Sequence, residues 1–272
     1  MQKKVLFTDI DGTLTNILTG EYLCSKAIVK KLKQIGVPVI LCSAKTMAEQ
    51  EPIRVELELK DPFIVENGGA IVVPEKYFTK SVISEDKYKR VRKFLIVELG
   101  ESISVIREKL DFLRNKFKMK FSAVGDISVG ELSNLTGLKP QMAKLMAERR
   151  YTETILRINR EDLPQFSRRA HLMGLNVIYG GKFIDVTAGT DKGKAVTFMK
   201  GCFRRQYGKD TIFFGIGDSP NDAPMLNKVD ISMLVQKPNR TWALLNTKKV
   251  IKLPGIGPNG LKYVLELIMK KS

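Results

Sequence analysis

The chain opens with a short apolar run from Lys4 to Thr8 and then alternates such runs with helical patterns. A helix is expected near Ser25 to Gln34, a strand at Val37 to Cys42, a helix near Met47 to Leu57 and a strand at Phe63 to Val65. This βαβαβ order predicts a parallel sheet with helices on its faces, because parallel neighbours need a long crossover between them. Gly36 falls where a helix C-cap is expected, just ahead of the second strand. The rhythm returns late in the chain. There the pattern predicts a helix from Asp191 to Gln206, a strand from Thr211 to Phe214, a short helix from Ala223 to Leu226, a strand from Ile231 to Val235 and a closing helix from Leu261 to Met269.

Between about residues 81 and 186 the pattern changes. A long charged helix is expected over Lys87 to Leu99, with further helices near Val105 to Lys116, Ser128 to Leu135 and Pro140 to Glu148. Strands are expected at Thr154 to Ile158, Leu175 to Tyr179 and Lys182 to Val186. This is an α+β pattern rather than a βαβ one. The two flanking halves each carry part of one candidate site, so the middle reads as an insertion. The expected fold is therefore α/β: a doubly wound, Rossmann-like parallel-sheet core from residues 1–80 and 187–272, with an inserted α+β cap over 81–186.

Four pieces of this pattern stand at strand ends or helix starts, where open α/β sheets bind ligands. The first is Asp9 and Asp11 in Thr8-Asp9-Ile10-Asp11-Gly12-Thr13-Leu14, two carboxylates leaving a hydrophobic strand on the same side, with Gly12 free to turn the chain away. Two acids that close need a cation or a shared proton. The second is Ser43, followed by Lys45 and Thr46, a hydroxyl in a turn suited to a phosphate oxygen. The third is Lys192, a cation opening a helix, and the fourth is the acidic loop Gly215-Ile216-Gly217-Asp218-Ser219-Pro220-Asn221-Asp222. Each has a plainer reading alone: a hairpin turn, a helix N-cap, a solvated lysine, a loose calcium loop. Together they supply a nucleophilic carboxylate, a second carboxylate to move a proton, a hydroxyl, a cation and metal-binding acids, which is what phosphoryl transfer through an aspartyl phosphate requires.

The order of these motifs resembles the haloacid dehalogenase-like phosphatase superfamily. The resemblance implies that Asp9 is the nucleophile, that Asp11 is the general acid and base, and that Ser43 and Lys192 grip the phosphoryl group. It also implies Mg²⁺ held by Asp9, Asp11 (through its backbone carbonyl), Asp218 and Asp222. Within the superfamily the chain is similar to the mannosyl-3-phosphoglycerate phosphatases, on Ser43-Ala44-Lys45-Thr46-Met47-Ala48-Glu49-Gln50-Glu51, Pro62 to Ile71, Ala147-Glu148-Arg149-Arg150-Tyr151-Thr152-Glu153 and Asp191 to Val196. The implied substrate, a glycosyl phosphoglycerate, carries a phosphate and a carboxylate. Arg149, Arg150 and Lys182 are expected to meet the carboxylate, Lys45 to assist Ser43, and Glu153 and Asn67 to bond sugar hydroxyls. Glucosyl-3-phosphoglycerate, sucrose phosphate and general sugar phosphates are the alternative substrates.

Charge adds one consideration. With 46 Lys and Arg against 29 Asp and Glu, the 272-residue chain carries a net charge of +17. That suits an anionic small substrate, and it also leaves open a nucleic-acid-binding protein on a phosphatase scaffold. The second reading is the weaker one, because the basic residues are scattered and no aromatic-interleaved basic stripe occurs. No apolar stretch approaches the ~20 residues needed to span a bilayer and nothing resembles a signal peptide, so a cytoplasmic protein is expected. Cys24, Cys42 and Cys202 show no CxxC spacing, and the single His171 lies in a helical pattern among charged residues. Neither a thiolate zinc site nor histidine chemistry is suggested.

Overall fold

A computed structural model describes residues 2–17, 19–247 and 249–270. In chain order the strands and helices are β1 (Lys4–Thr8), α1 (Leu23–Gln34), β2 (Val39–Cys42), α2 (Met47–Glu56), β3 (Phe63–Val65), β4 (Ala70–Pro74), β5 (Lys89–Val91), β6 (Phe94–Glu98), α3 (Ile103–Phe117), β7 (Phe121–Ala123), α4 (Val129–Thr136), α5 (Pro140–Ala147), β8 (Thr152–Ile158), α6 (Leu163–Leu172), β9 (Leu175–Gly180), β10 (Phe183–Ala188), α7 (Lys192–Tyr207), β11 (Ile212–Gly217), α8 (Ala223–Leu226), β12 (Ile231–Gln236), β13 (Ile251–Ile256) and α9 (Leu261–Lys270). A nine-stranded sheet has the order β13-β12-β11-β1-β2-β3-β4-β6-β5, and a four-stranded sheet the order β7-β8-β10-β9.

The large sheet is parallel from β13 to β3 and antiparallel from there to its β5 edge. Its central strands are apolar throughout because both faces are covered. One face packs Leu6, Val39, Leu41 and Phe214 beside Val29, Leu32, Val264 and Ile268, and the other packs Val5, Phe7, Ile40 and Phe213 beside Val196, Met199 and Phe203. From β1 the chain winds outward to β2 and β3 on one side and returns to β11 on the other. Neighbouring connections therefore diverge at β1 and open a crevice at the C-terminal strand ends. Thr8 is level with both Ile216 and Leu41, so the residues that follow these strands emerge side by side.

The expected helix over Lys87 to Leu99 is instead the hairpin β5–β6, with Arg92 at its turn in the left-handed region (φ 52°). The charge spacing suggested a helix locally. The run Phe94 to Val97 is β-prone, however, and pairs with β4, an element the hydrophobic pattern did not single out. The hairpin therefore extends the large sheet, although it falls within the range 81–186 expected for the insert. Strands β7 and β13 also went unforeseen, since each gains its order from a distant partner. The antiparallel small sheet packs α3 and α6 on one face, around Ile106, Leu110, Ile155, Phe166 and Val186. Among the described residues no helix is long and apolar enough to cross a membrane.

The two sheets meet at the turn after β3. Glu66 and Asn67 both have positive φ there (50° and 55°). The buried Glu66 carboxylate accepts the Arg150 N–H at 3.0 Å and the Tyr151 N–H at 2.8 Å, at the start of β8. Glu66→Ala would orphan these two donors at roughly 1–3 kcal/mol each, so urea unfolding should show a loss of about 2–6 kcal/mol. A loss below about 0.5 kcal/mol would mean that water replaces the carboxylate.

Candidate active site

The floor of the crevice is built from three strand ends and one helix start. Asp9 follows β1 and is fixed by its N–H donating to Ile216 O at 3.0 Å. Lys192 opens α7, whose N-cap Asp191 accepts the Lys194 N–H at 2.8 Å. The fully buried Lys192 Nζ donates to Asp9 Oδ1 at 2.8 Å and to Asp222 Oδ1 at 2.7 Å. Asp222 spends its other oxygen on the Asp218 and Ser219 N–H groups. Two glycines make room: a Cβ on Gly12 (φ +79°) would stand 2.6 Å from Asp218 Oδ2, and one on Gly217 would collide with the Asp222 carboxylate.

Carboxylate oxygens of Asp9, Asp218 and Asp222 lie within 4.8 Å of one another, all three residues buried. Burial pushes the Asp9 carboxyl well above the ordinary carboxylate range; Lys192 opposes this, and Asp222, Asp218 and Asp11 add to it. Asp218 is pushed up to about 7, by burial first and Asp222 second. Burial works against the Lys192 ammonium, but Asp222 and Asp9 outweigh it and hold its pKa well above the ordinary value. Three acids facing one lysine leave an excess of negative charge with all-oxygen donors, which fits a hard divalent cation. Among the described residues, Asp9 Oδ2 and the Asp218 carboxylate oxygens accept no hydrogen bond, whereas both Asp222 oxygens already have partners.

Asp11 was expected beside Asp9 and is not in this group. β1 ends at Thr8, and the chain then tightens into a turn in which the Thr13, Leu14 and Thr15 N–H groups all donate to Ile10 O, so the period-two argument lapses. The Asp11 carboxylate is exposed and pairs with Lys45 Nζ at 3.0 Å. Ser43 is buried after β2 and is not a helix cap. Thr46 takes that role for α2, in a reciprocal box with Glu49. Ser43 Oγ accepts the Lys45 N–H at 3.3 Å and remains on the cavity wall.

A cavity of about 500 Å³ joins Asp9, Asp11, Ser43, Lys45 and Asp218 to Arg149, just before β8, Lys182, in the β9–β10 turn, and Asp185 on β10. A larger cavity of about 730 Å³ lies by the β9–β10 turn and contains none of the four aspartates, so size does not mark the site. Of the expected cap residues, Arg149 is buried on the wall of the smaller cavity with Nε and Nη1 unpartnered. Lys182 lines it too, with Nζ donating to Leu135 O at 2.8 Å. Arg150 is not on the wall; its side chain is exposed. Glu153 is turned away. Thr154 stands opposite Asp185 and Glu153 opposite Val186, so alternation sends Glu153 to the other face, where Arg107 Nε donates to it at 2.6 Å. Asn67 spends its amide N–H on Asp185 at 2.9 Å rather than on the cavity. Asp185, Glu49, Asn221 and Lys237 line the cavity unforeseen; Asp185, alternating with the apolar Ile184 and Val186 on the predicted strand, was the one with a visible signal.

Residues 6–242 match the family of haloacid dehalogenase-like hydrolases. The chain belongs to this family. It is 34% identical over 94% of its length to a glucosyl-3-phosphoglycerate/mannosyl-3-phosphoglycerate phosphatase of Persephonella marina, covering 93% of that protein. It is 35% identical over 92% of its length to a mannosyl-3-phosphoglycerate phosphatase of Pyrococcus horikoshii, covering 99% of it. The expected class, a phosphoric monoester hydrolase, is borne out by these relatives. The fold also matches a Thermoplasma acidophilum crystal structure with a TM-score of 0.67 at 16% identity, over 99% of both chains.

The raised Asp218 carboxyl has a sign that can be tested. Between its ordinary value of 3.8 and about 7, the folded protein keeps a proton that the unfolded chain has released. The metal-free protein should therefore lose stability as pH rises from about 4 to about 7. Mg²⁺ needs the deprotonated acids, so it should raise the melting temperature more at pH 8 than at pH 5, measured against EDTA by thermal unfolding. Equal shifts at both pH values would remove the acid cluster as the binding site.

Proposed function

We propose that the protein is a Mg²⁺-dependent cytoplasmic phosphatase that hydrolyses mannosyl-3-phosphoglycerate to mannosylglycerate, a compatible solute, and phosphate, through an aspartyl phosphate on Asp9. Glucosyl-3-phosphoglycerate is the alternative substrate in the same site. The observation that carries this reading is the buried Lys192 bridge between Asp9 and Asp222, beside Asp218, beneath a cavity whose upper wall holds an arginine with unspent donors.

An oxygen of Asp9 attacks phosphorus as the bond to the glyceryl oxygen breaks, and Asp11 donates a proton to that leaving oxygen. Water then attacks the phosphoryl group on Asp9 and gives its proton to Asp11, which restores both acids. Lys192 keeps Asp9 oriented, and Ser43 with Lys45 holds the phosphoryl oxygens. Asp9 and Asp218, with the Asp11 carbonyl and Asp222 in support, would hold Mg²⁺, which would supply the positive charge that lets two anions meet. Arg149 meets the glycerate carboxylate and Lys182 adds charge at the rim. Arg150 and Glu153 take no part.

Asp9→Asn should reduce phosphate release to background, since an amide cannot attack phosphorus, while Asp11→Asn should slow it about 10²- to 10⁴-fold, the usual weight of general acid–base catalysis. Near-normal turnover by Asp9→Asn would rule out the covalent route. Arg149→Ala should lower kcat/KM for mannosyl-3-phosphoglycerate about 10- to 150-fold, as loss of a charge-assisted contact worth about 1.5–3 kcal/mol implies. Arg150→Ala should cost much less. Steady-state kinetics with mannosyl-3-phosphoglycerate, glucosyl-3-phosphoglycerate, sucrose phosphate and p-nitrophenyl phosphate tests this, and equal losses on all four in Arg149→Ala would withdraw the carboxylate contact.

A further inference from the structure

Asp185 lies in the middle of β10 and belongs to none of the motifs that mark the catalytic loops, yet both sheets hold its carboxylate. Thr154, directly opposite on β8, donates its hydroxyl to Asp185 Oδ1 at 2.6 Å. Asn67 Nδ2, from the turn after β3, donates to Oδ2 at 2.9 Å. That same turn is bonded to the phosphate-gripping loop, because the Asn67 N–H donates to Ser43 O at 3.0 Å.

Arg149 stands on the other side of Asp185. Its Nη1 is 3.9 Å from Asp185 Oδ1, close enough for charge attraction and too far for a hydrogen bond. Arg149 is only 8% exposed, and among the described residues its Nε and Nη1 have no hydrogen-bond acceptor. Glu49, Glu66 and Glu153 also face this cation. Glu66 is occupied by the Arg150 and Tyr151 N–H groups, Glu153 by Arg107 and the Thr154 N–H, and Glu49 by the Thr46 N–H. A buried guanidinium with empty donors is costly unless an acceptor arrives from the cavity. Asp185 compensates the charge without consuming those donors.

We infer that Asp185 is a positioning residue that sets the preference for carboxylate-bearing phosphomonoesters. By charge it keeps Arg149 in the cavity wall with its donors free, and through Asn67 it ties that wall to the Ser43 turn. The separation between the phosphate-holding and carboxylate-holding ends of the site is thereby fixed. This inference rests on the functional reading above and deepens it.

The test uses two phosphomonoesters that differ only in the carboxylate, 3-phosphoglycerate and glycerol 3-phosphate, together with mannosyl-3-phosphoglycerate. The readout is the ratio of kcat/KM for the carboxylate-bearing over the carboxylate-free compounds. Asp185→Asn keeps the shape and removes the charge, and should lower this ratio about 10-fold or more, as expected for a mispositioned charge-assisted contact. Asn67→Gly, which retains the left-handed turn while freeing Asp185, should lower it in the same direction. If Asp185→Asn fails to fold, Asn67→Gly decides. A merely structural role would depress both rates together, so an unchanged ratio in the folded variants overturns the inference alone. A wild-type ratio near one overturns the functional reading, and this inference with it.

Discussion

The buried ammonium of Lys192 holds the site together. Three elements that are distant in the chain, the end of β1, the loop after β11 and the start of α7, converge on it, and each contact is short. Placing a lysine at the positive end of a helix and burying it completely is unfavourable on both counts. Asp9 and Asp222 make it tolerable, and it in turn limits the repulsion among three buried carboxylates. Removing either side would leave uncompensated charge in the interior, so the catalytic floor and the local fold depend on each other. The glycines at 12 and 217 serve the same arrangement, since side chains there would occupy the space that Asp218 and Asp222 need.

The small sheet is joined to this floor by polar contacts rather than by a shared apolar core. Glu66 and Asn67, adjacent residues in left-handed conformations, grip the start of β8 and the middle of β10 respectively. Backbone strain at two consecutive non-glycine residues persists because each side chain is hydrogen-bonded across the gap, Glu66 to the N–H groups just before β8 and Asn67 through its amide N–H to Asp185. The turn that carries them is itself hydrogen-bonded to Ser43. Any substrate held between the sheets thus meets groups whose spacing is set by a few directional bonds.

The division of labour follows from chemistry. On the proposed function, the acids, hydroxyl and lysines at the ends of the large sheet meet the phosphoryl group that every candidate substrate shares. The opposite wall holds Arg149, just before β8, and Asp185 on β10, the two residues proposed to distinguish one ester from another. The net charge of +17 raises the local concentration of anionic substrates at long range. Within the cavity, discrimination depends on where single charges stand.

The catalytic motifs were legible in the sequence because they are local: each is a few residues at a strand end or helix start, and parallel α/β topology brings such ends together. Asp9, Ser43, Lys192, Asp218 and Asp222 lie close together at the crevice, and most strands and helices of the two α/β halves lie where the hydrophobic pattern put them. Only the tertiary structure could decide the hairpin of β5 and β6, whose charged residues mimic a helix until β4 pairs with it. The same holds for the cap residues. Arg149 and Arg150 are neighbours of identical type, yet one is buried in the cavity wall and the other exposed, and Glu153 and Thr154 exchange faces on one strand according to a register set by β10. Asp185 gains its place from partners at positions 67, 149 and 154, and no pattern within the chain encodes which of its residues will meet across a sheet.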